Sequence, residues 1–227
     1  MTATSSTHLR RTTGEGGSEL DGRFRKPEGE IGIETLKEMN EHHRPLSEWA
    51  LSNLPEMTPD SILDIGCGGG MMISLLHEKY SEALIAGIDI SDTAVEFARE
   101  KNRELINEGK CRIDVASVED IPYDEFSFDL VVSCESYFFW PDIIRSMEEA
   151  CRVVAFGGRI LIVSEAYPHP DFDAVNEEHS AMYGMKLRTN DYMKALIGSF
   201  GFEVEVITVE EKNWVMFVGK KNVLSSF

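Results

Sequence analysis

Long apolar runs are missing from this 227-residue chain, and none approaches the roughly 20 residues that a bilayer-spanning helix needs. Cysteine is scarce too. Only Cys67, Cys111, Cys134 and Cys151 occur, none of them in a CxxC pair and all in apolar or strand-like stretches. That excludes a disulfide frame and reads as reduced core thiols in a cytoplasmic protein. Positive charge is short as well: 22 Lys and Arg stand against 40 Asp and Glu, a net charge of −18. So acidic a surface repels nucleic acid and anionic membranes, and the longest basic cluster, "GRFRKPEG", is brief. Solubility accounts for the excess. The opening "MTATSSTHLRRTTGEGG" has no apolar core of the secretory kind; its Ser, Thr and Arg weakly resemble a transit peptide and read better as a disordered tail. His169 and His179 sit near acids, but their spacing matches no strong ligand pattern, so no metal site is expected. There is no internal repeat.

What remains is one good-sized domain, 42% hydrophobic and able to bury a core. Residues 1–29 read as the tail. In 30–57, "EIGIETLKEMNEHHRPLSEWALSNL" places Ile31, Ile33, Leu36 and Met39 at helical spacing. The spacing predicts a break at Pro45 and a fresh N-cap at Ser47. From residue 58 strands and helices alternate. "SILDIG", "ALIAGID", "CRIDVAS", "FDLVVSC" and "GRILIVSEA" are strands. Between them lie "GMMISLLHEKY", the long "SDTAVEFAREKNRELINEG" capped by Ser91 and ended by Gly109, and "PDIIRSMEEACRVVA". This is the pattern of an α/β, doubly wound, mostly parallel sheet with helices on both faces. At the end, "FEVEVITV" and "NWVMFVG" are joined too tightly for anything but an antiparallel hairpin. Residues 166–188 are too long for a simple connection and form a cap insertion.

The stretch "LDIGCGGGMMISLL" joins the first strand to its helix, where open α/β sheets bind ligands. A dinucleotide GxGxxG would need glycine at Met71, and no Gly-Lys-Ser/Thr of a P-loop follows. Asp64, two residues before Gly66, would repel a pyrophosphate and welcome a cation. Asp89, ending the second strand, can accept from both hydroxyls of a ribose. The loop therefore calls for a ligand with a ribose, no phosphate and a positive group near Asp64.

In order and spacing, "LDIGCGGG", "GIDIS", "FDLVVS" and "EEACRVVAFGGRILIV" resemble the motifs of class I S-adenosylmethionine-dependent methyltransferases of small-molecule type. The resemblance covers about residues 60–220 and implies a seven-stranded Rossmann-like fold, so that 58–227 is the cofactor-binding catalytic domain and 30–57 a helical lid. It implies S-adenosyl-L-methionine as cofactor. Asp64 would meet the ammonium, Gly66, Cys67, Gly68 and Gly70 would let the backbone approach, and Asp89 would bind the ribose. Ile90 would pack on the adenine, whose edge meets Ser117 and Val118; many relatives carry Asp where Ser117 stands. Cys134 and Glu135 would flank the methionine end. A second departure, Ala155-Phe156 before the paired glycines, is structural.

Methyl transfer from a sulfonium is a direct displacement that needs a base only when the nucleophile arrives protonated. The acceptor wall is expected in "CESYFFWPD". Tyr137 is the candidate for orienting or deprotonating the acceptor, with Phe138 and Trp140 lining its pocket; packing of the rings beneath the next helix is the alternative. In "MNEHHRPL", His43 is a candidate base and His42 a substrate contact, and an exposed polar helix end is the plainer reading. The partner is a small-molecule acceptor; a basic face and an NPPY segment, which base-methylating enzymes would want, are lacking, and a homodimer stays open. A protein methyltransferase, a nicotinamide-dependent dehydrogenase and a non-catalytic cofactor-binding protein are the alternatives.

Overall fold

The computed structural model describes residues 22–223. Helix α1 (Gly29–Asn53) leads into a sheet built from β1 (Ser61–Ile65), β2 (Leu84–Asp89), β3 (Cys111–Val115), β4 (Phe128–Cys134), β5 (Val154–Ser164), β6 (Phe202–Val209) and β7 (Trp214–Lys221). Between the strands lie α2 (Met71–Lys79), α3 (Asp92–Lys101), α4 (Arg103–Asn107), α5 (Ile143–Arg152), α6 (Asp173–Tyr183) and α7 (Asn190–Ser199). The strand order is β3-β2-β1-β4-β5-β7-β6. All neighbours are parallel except β5–β7 and β7–β6, so the expected terminal hairpin is present and β7 inserts beside β5.

The period-2 alternation of the strands divides the core in two. On one face, Leu63, Val131, Ile160, Ile162 and Phe217 pack against Met147 of α5 and Ile197 of α7. On the other, Ile62, Leu130, Val132, Leu161 and Met216 meet Leu46 of α1, Ile73 of α2 and Val95 of α3. Strands buried on both faces are near-continuously apolar for this reason. Strand order reverses between β1 and β4, and the switch point faces the loop that follows β1.

Three local expectations change. Helix α1 runs unbroken through Pro45. An interior proline costs about 3 kcal/mol, but Leu36 and Leu46 are fully buried and Leu51 nearly so, at about 1.5–3 kcal/mol each. Burial therefore wins, and the Ser47 hydroxyl donates to the His43 carbonyl (3.0 Å) instead of capping a new helix. The tail boundary also moves. Residues 1–21 lie outside the described residues, but Gly22–Arg25 make a helical turn and Pro27 is buried. The Ser91 hydroxyl donates to the Pro27 carbonyl and Gly29 N–H to Thr93 Oγ1 (3.2 Å). Finally, the long helix capped by Ser91 stops at Asn102. The Asn102 side chain is needed elsewhere: its Nδ2 donates to the carbonyls of Gly70 and Ala98 (3.0 Å each), and its Oδ1 accepts from Ser74 (2.9 Å).

Asn102 thus ties the glycine loop to α3. Asn102→Ala should lower unfolding free energy by about 2–3 kcal/mol, because it leaves buried partners unpaired. Urea denaturation checks this, and a loss below about 0.5 kcal/mol would show the tie to be incidental.

Candidate functional site

The loop between β1 and α2 is held open by its glycines. Gly66 has φ +72°, and a Cβ there would fall 2.6 Å from Ser136 Cβ. Gly70, also at φ +72°, would meet Asn102 Nδ2 at 2.5 Å. A side chain at either place would push the loop off its neighbours. Backbone N–H groups of Gly66 and Cys67 both donate to the Ile88 carbonyl, at 2.8 and 3.0 Å.

Asp64 projects from β1 beneath this loop. It is 1% exposed, and among the described residues no donor reaches its Oδ2. Burial, and then the neighbouring charge of Asp89, push its carboxyl up to about 8. Asp89 is differently placed. Its Oδ2 accepts from Gly68 N–H and its Oδ1 from Ser91 N–H, both at 2.9 Å. Burial raises its pKa, and those backbone donors oppose the rise. Each of its oxygens keeps a lone pair for a further donor.

Three hollows meet over the loop and share Met39 and Glu135. The first is lined by Asp89, Ile90, Ser117 and Val118, with Phe24 and Pro27 arching above. The second holds Asp64, Gly66, Cys67, Gly68, Cys134 and Asn40. The third lies towards α6, with His42, His43, Glu165 and Asn213 among its walls. Of the residues singled out from sequence, Tyr137 lies outside all three, and so does Gly70. It is the N-cap of α2 and packs on Asn102.

The aromatic loop departs from expectation. Residues Tyr137–Phe139 coil into a single 3₁₀ turn. That turn aims Tyr137 (1% exposed) and Phe138 (3%) into the core, so Tyr137 lines no hollow and Phe138 only edges the third. Trp140 walls the first hollow, beside Ile90, rather than an acceptor pocket. Phe139 alone of the four rings borders both the first and the third.

His43 and His42 converge on a residue that sequence reasoning missed. Glu165, just past β5, lies 3.1 Å from His42 Nε2 and 3.5 Å from His43 Nε2. Glu135 Oε2 is 3.9 Å from His43 Nε2. Burial raises the pKa of Glu165, but hydrogen bonds and charge from the two histidines outweigh it and hold the carboxyl below its ordinary range. Glu135 moves the other way, pushed well up by burial and by Glu165. Its backbone is left-handed (φ 55°), and its Oε1 accepts from Glu165 N–H at 2.6 Å. Left-handed glutamate costs about 1–2 kcal/mol and marks a position fixed by its surroundings. Ligand atoms of His42, His43 and Glu165 lie within 4.8 Å of one another, the grouping among the described residues whose donor types could hold a metal ion. It is not the His169/His179 region weighed from sequence.

A family model described as a methyltransferase domain matches residues 63–162. The sarcosine/dimethylglycine N-methyltransferase of Halorhodospira halochloris is 29% identical over 157 residues, covering 65% of this chain and 53% of that protein. The 27-O-demethylrifamycin SV methyltransferase of Amycolatopsis mediterranei is 31% identical over 130 residues, covering 55% and 47%. The chain thus spans about half the length of these curated relatives. Among solved structures, the geranyl diphosphate C-methyltransferase of Streptomyces coelicolor, in complex with Mg2+, geranyl diphosphate and S-adenosyl-L-homocysteine, superposes with a TM-score of 0.70 at 15% identity, covering 89% of this chain and 88% of that one. With its glycine loop after β1, acids ending β1 and β2, and β7 inserted antiparallel, the chain has the fold of these methyltransferases, and its residues 63–162 are similar to a methyltransferase domain.

Proposed function

We propose that the protein moves a methyl group from S-adenosylmethionine to a nucleophile on a small-molecule acceptor by direct displacement. The observation that carries this reading is the pair of unequal carboxylates in one cleft. Asp64 has a buried oxygen without a donor and needs a cation. Asp89 keeps two acceptor positions for a diol. An α-ammonium and a ribose at the two ends of one ligand answer both. A nicotinamide dinucleotide would answer Asp89 with its ribose but not Asp64, against which its pyrophosphate would lie.

Ile90 and Val118 would bracket the adenine, with Ser117 at its edge. Cys134 and Glu135 would border the methionine end, and Gly66, Cys67 and Gly68 would present backbone there. When bound, the cofactor supplies a methyl already activated on a sulfonium. The chain's own task is then alignment, exclusion of water and proton removal. Helix α1 serves as the lid: Leu36, Met39, Asn40 and His43 face the cleft, and the strap before it is hooked to Ser91 and Thr93. His43, 17% exposed and backed by Glu165, is the group placed to take a proton from the acceptor. A core position leaves Tyr137 no part in that step. Four free thiols and a surface of net charge −18 fit a reducing cytoplasm and a small-molecule partner.

Calorimetry is the direct test. S-adenosylhomocysteine should bind in the micromolar range, about −8 kcal/mol, and NAD should give no heat; the reverse pattern sinks the proposal.

A second prediction concerns Asp64. Its folded carboxyl titrates near 8 against an ordinary 3.8. Between those values the folded chain holds a proton that the unfolded chain has released. Stability of the ligand-free protein therefore falls as pH rises from about 4 to about 8. Asp64→Asn should abolish that fall. The variant's advantage in unfolding free energy should grow across the range, to on the order of a few kcal/mol. An advantage that stays flat with pH would mean that Asp64 is already paired.

A further inference from the structure

We propose that the third hollow is an amine site, which takes the ammonium group of a small apolar amine as the methyl acceptor. The inference rests on the methyl-transfer reading and adds to it the chemical class of the acceptor.

The walls are rings. Phe24, Phe139, Phe172 and Tyr183 border the hollow, and Phe24 and Tyr183 meet edge to face at 4.7 Å. Such faces favour an apolar body and attract a cation.

The polar groups among these walls include His42, His43, His179 and Lys212 beside two carboxyl groups, and one acceptor is fixed by elimination. The Tyr167 carbonyl takes a hydrogen bond from Asn176 Nδ2 at 2.8 Å. That sets the Asn176 amide, so its Oδ1 faces outward and receives Asn213 Nδ2 at 3.0 Å. Asn213 is set in turn. Its Oδ1 is buried, and among the described residues no donor reaches it. Asn213 is 3% exposed, with a left-handed backbone (φ 56°) at the tip of the β6–β7 hairpin. An unpaired buried acceptor costs about 1–3 kcal/mol and is relieved by a ligand that donates.

Two carboxyl groups add to this preference. Glu165 and Glu135 both line the hollow, and Glu135 has no cationic side chain among the described residues nearer than His43 at 3.9 Å. Among the described residues no arginine lines it, and the Arg23 guanidinium lies 5.2 Å over the Phe24 ring. Lys212 lines it, but its ammonium lies 4.0 Å over the Trp214 ring. A carboxylate ligand would meet like charge here. An alcohol would offer one donor and no charge. An ammonium offers three donors and a positive charge to the two carboxyl groups.

The same groups suit the chemistry. The bound ammonium gives one proton to a ring nitrogen of His43. The freed lone pair forms the new N–C bond, while the pair of the breaking C–S bond stays on sulfur. The products are an N-methylammonium, a neutral thioether and a protonated His43, which Glu165 stabilises until solvent takes the proton.

The test is a matched set of acceptors on the full chain with S-adenosylmethionine: benzylamine, 2-phenylethylamine and tryptamine against 2-phenylethanol and 3-phenylpropionate. Released S-adenosylhomocysteine and the mass of the product are read. At least one amine should be N-methylated with kcat/KM about tenfold or more above the alcohol, and the acid should be inert. Glu165→Gln should raise KM for that amine about tenfold while S-adenosylhomocysteine affinity, by calorimetry, stays within about twofold. Preference for the alcohol or the acid overturns the amine site. So does silence from every amine when S-adenosylhomocysteine binds normally. Absence of S-adenosylhomocysteine binding would instead bring down the methyl-transfer reading itself, and the amine site with it.

Discussion

Two carboxylates at the ends of adjacent parallel strands are the constraint around which the rest is arranged. β1 and β2 pair in register, Asp64 opposite Gly87 and Ile65 opposite Ile88, so Asp64 and Asp89 face the same switch point. Like charges in a dry site raise each other's pKa. Asp89 is relieved by two backbone donors, and Asp64 is not. A protein that keeps such a residue at 1% exposure carries a standing cost, which hydrophobic packing around it must cover. A ligand that brings a cation to Asp64 removes the cost, so part of the affinity is stored in the empty fold.

Storage of that kind requires walls that do not relax. Gly66 lies too close to Ser136 to move towards β4. The Ser136 hydroxyl in turn donates to the Ile65 carbonyl at 3.0 Å and meets Ser133 Oγ at 2.6 Å. Gly70 is fixed by Asn102 from the other side. From above, Asn40 Nδ2 donates to the Gly69 carbonyl at 3.1 Å, so the lid helix grips the loop that it covers. The loop's backbone is therefore in place before a ligand arrives, and little ordering remains to be done on binding.

The alternation of strands and helices, the terminal hairpin and the two acids were legible in the sequence because each is local: a period, a turn length, a residue at a strand end. What failed depended on distant partners. Asn102 reads as an ordinary helical position until Gly70 and Ser74 are brought beside it. Pro45 reads as a break until the burial of Leu36, Leu46 and Leu51 is weighed against it. Tyr137 and Phe138 read as a pocket wall because a loop has little room to bury rings, but a single 3₁₀ turn rotates both inward. Glu165 carried no local signal at all. It joins His42 and His43 across 123 and 122 positions of sequence, and only the packing of α1 beside the end of β5 brings them together.

The division of labour in the cleft follows the family boundary. The matched segment, residues 63–162, contains Asp64, the glycine loop, Asp89, Ser117, Cys134 and Glu135. On the proposed reading those residues would face the cofactor. Glu135, Phe138 and Phe139 apart, the third hollow comes from outside the segment: Phe24, Met39 and His43 before it, Glu165, Asn176 and Asn213 after it. The relatives named above are N-, O- and C-methyltransferases, and a donor that is already activated lets one cofactor frame serve all three. On the proposed reading, specificity for the nucleophile would reside in the parts outside the matched segment. In this chain those parts supply unpaired acceptors, carboxylates and ring faces. Glu135, left-handed in backbone, lines all three hollows, where the matched segment meets residues from outside it. Its left-handed backbone holds the carboxyl at that junction, bordering the hollow of Asp64 on one side and that of Glu165 on the other.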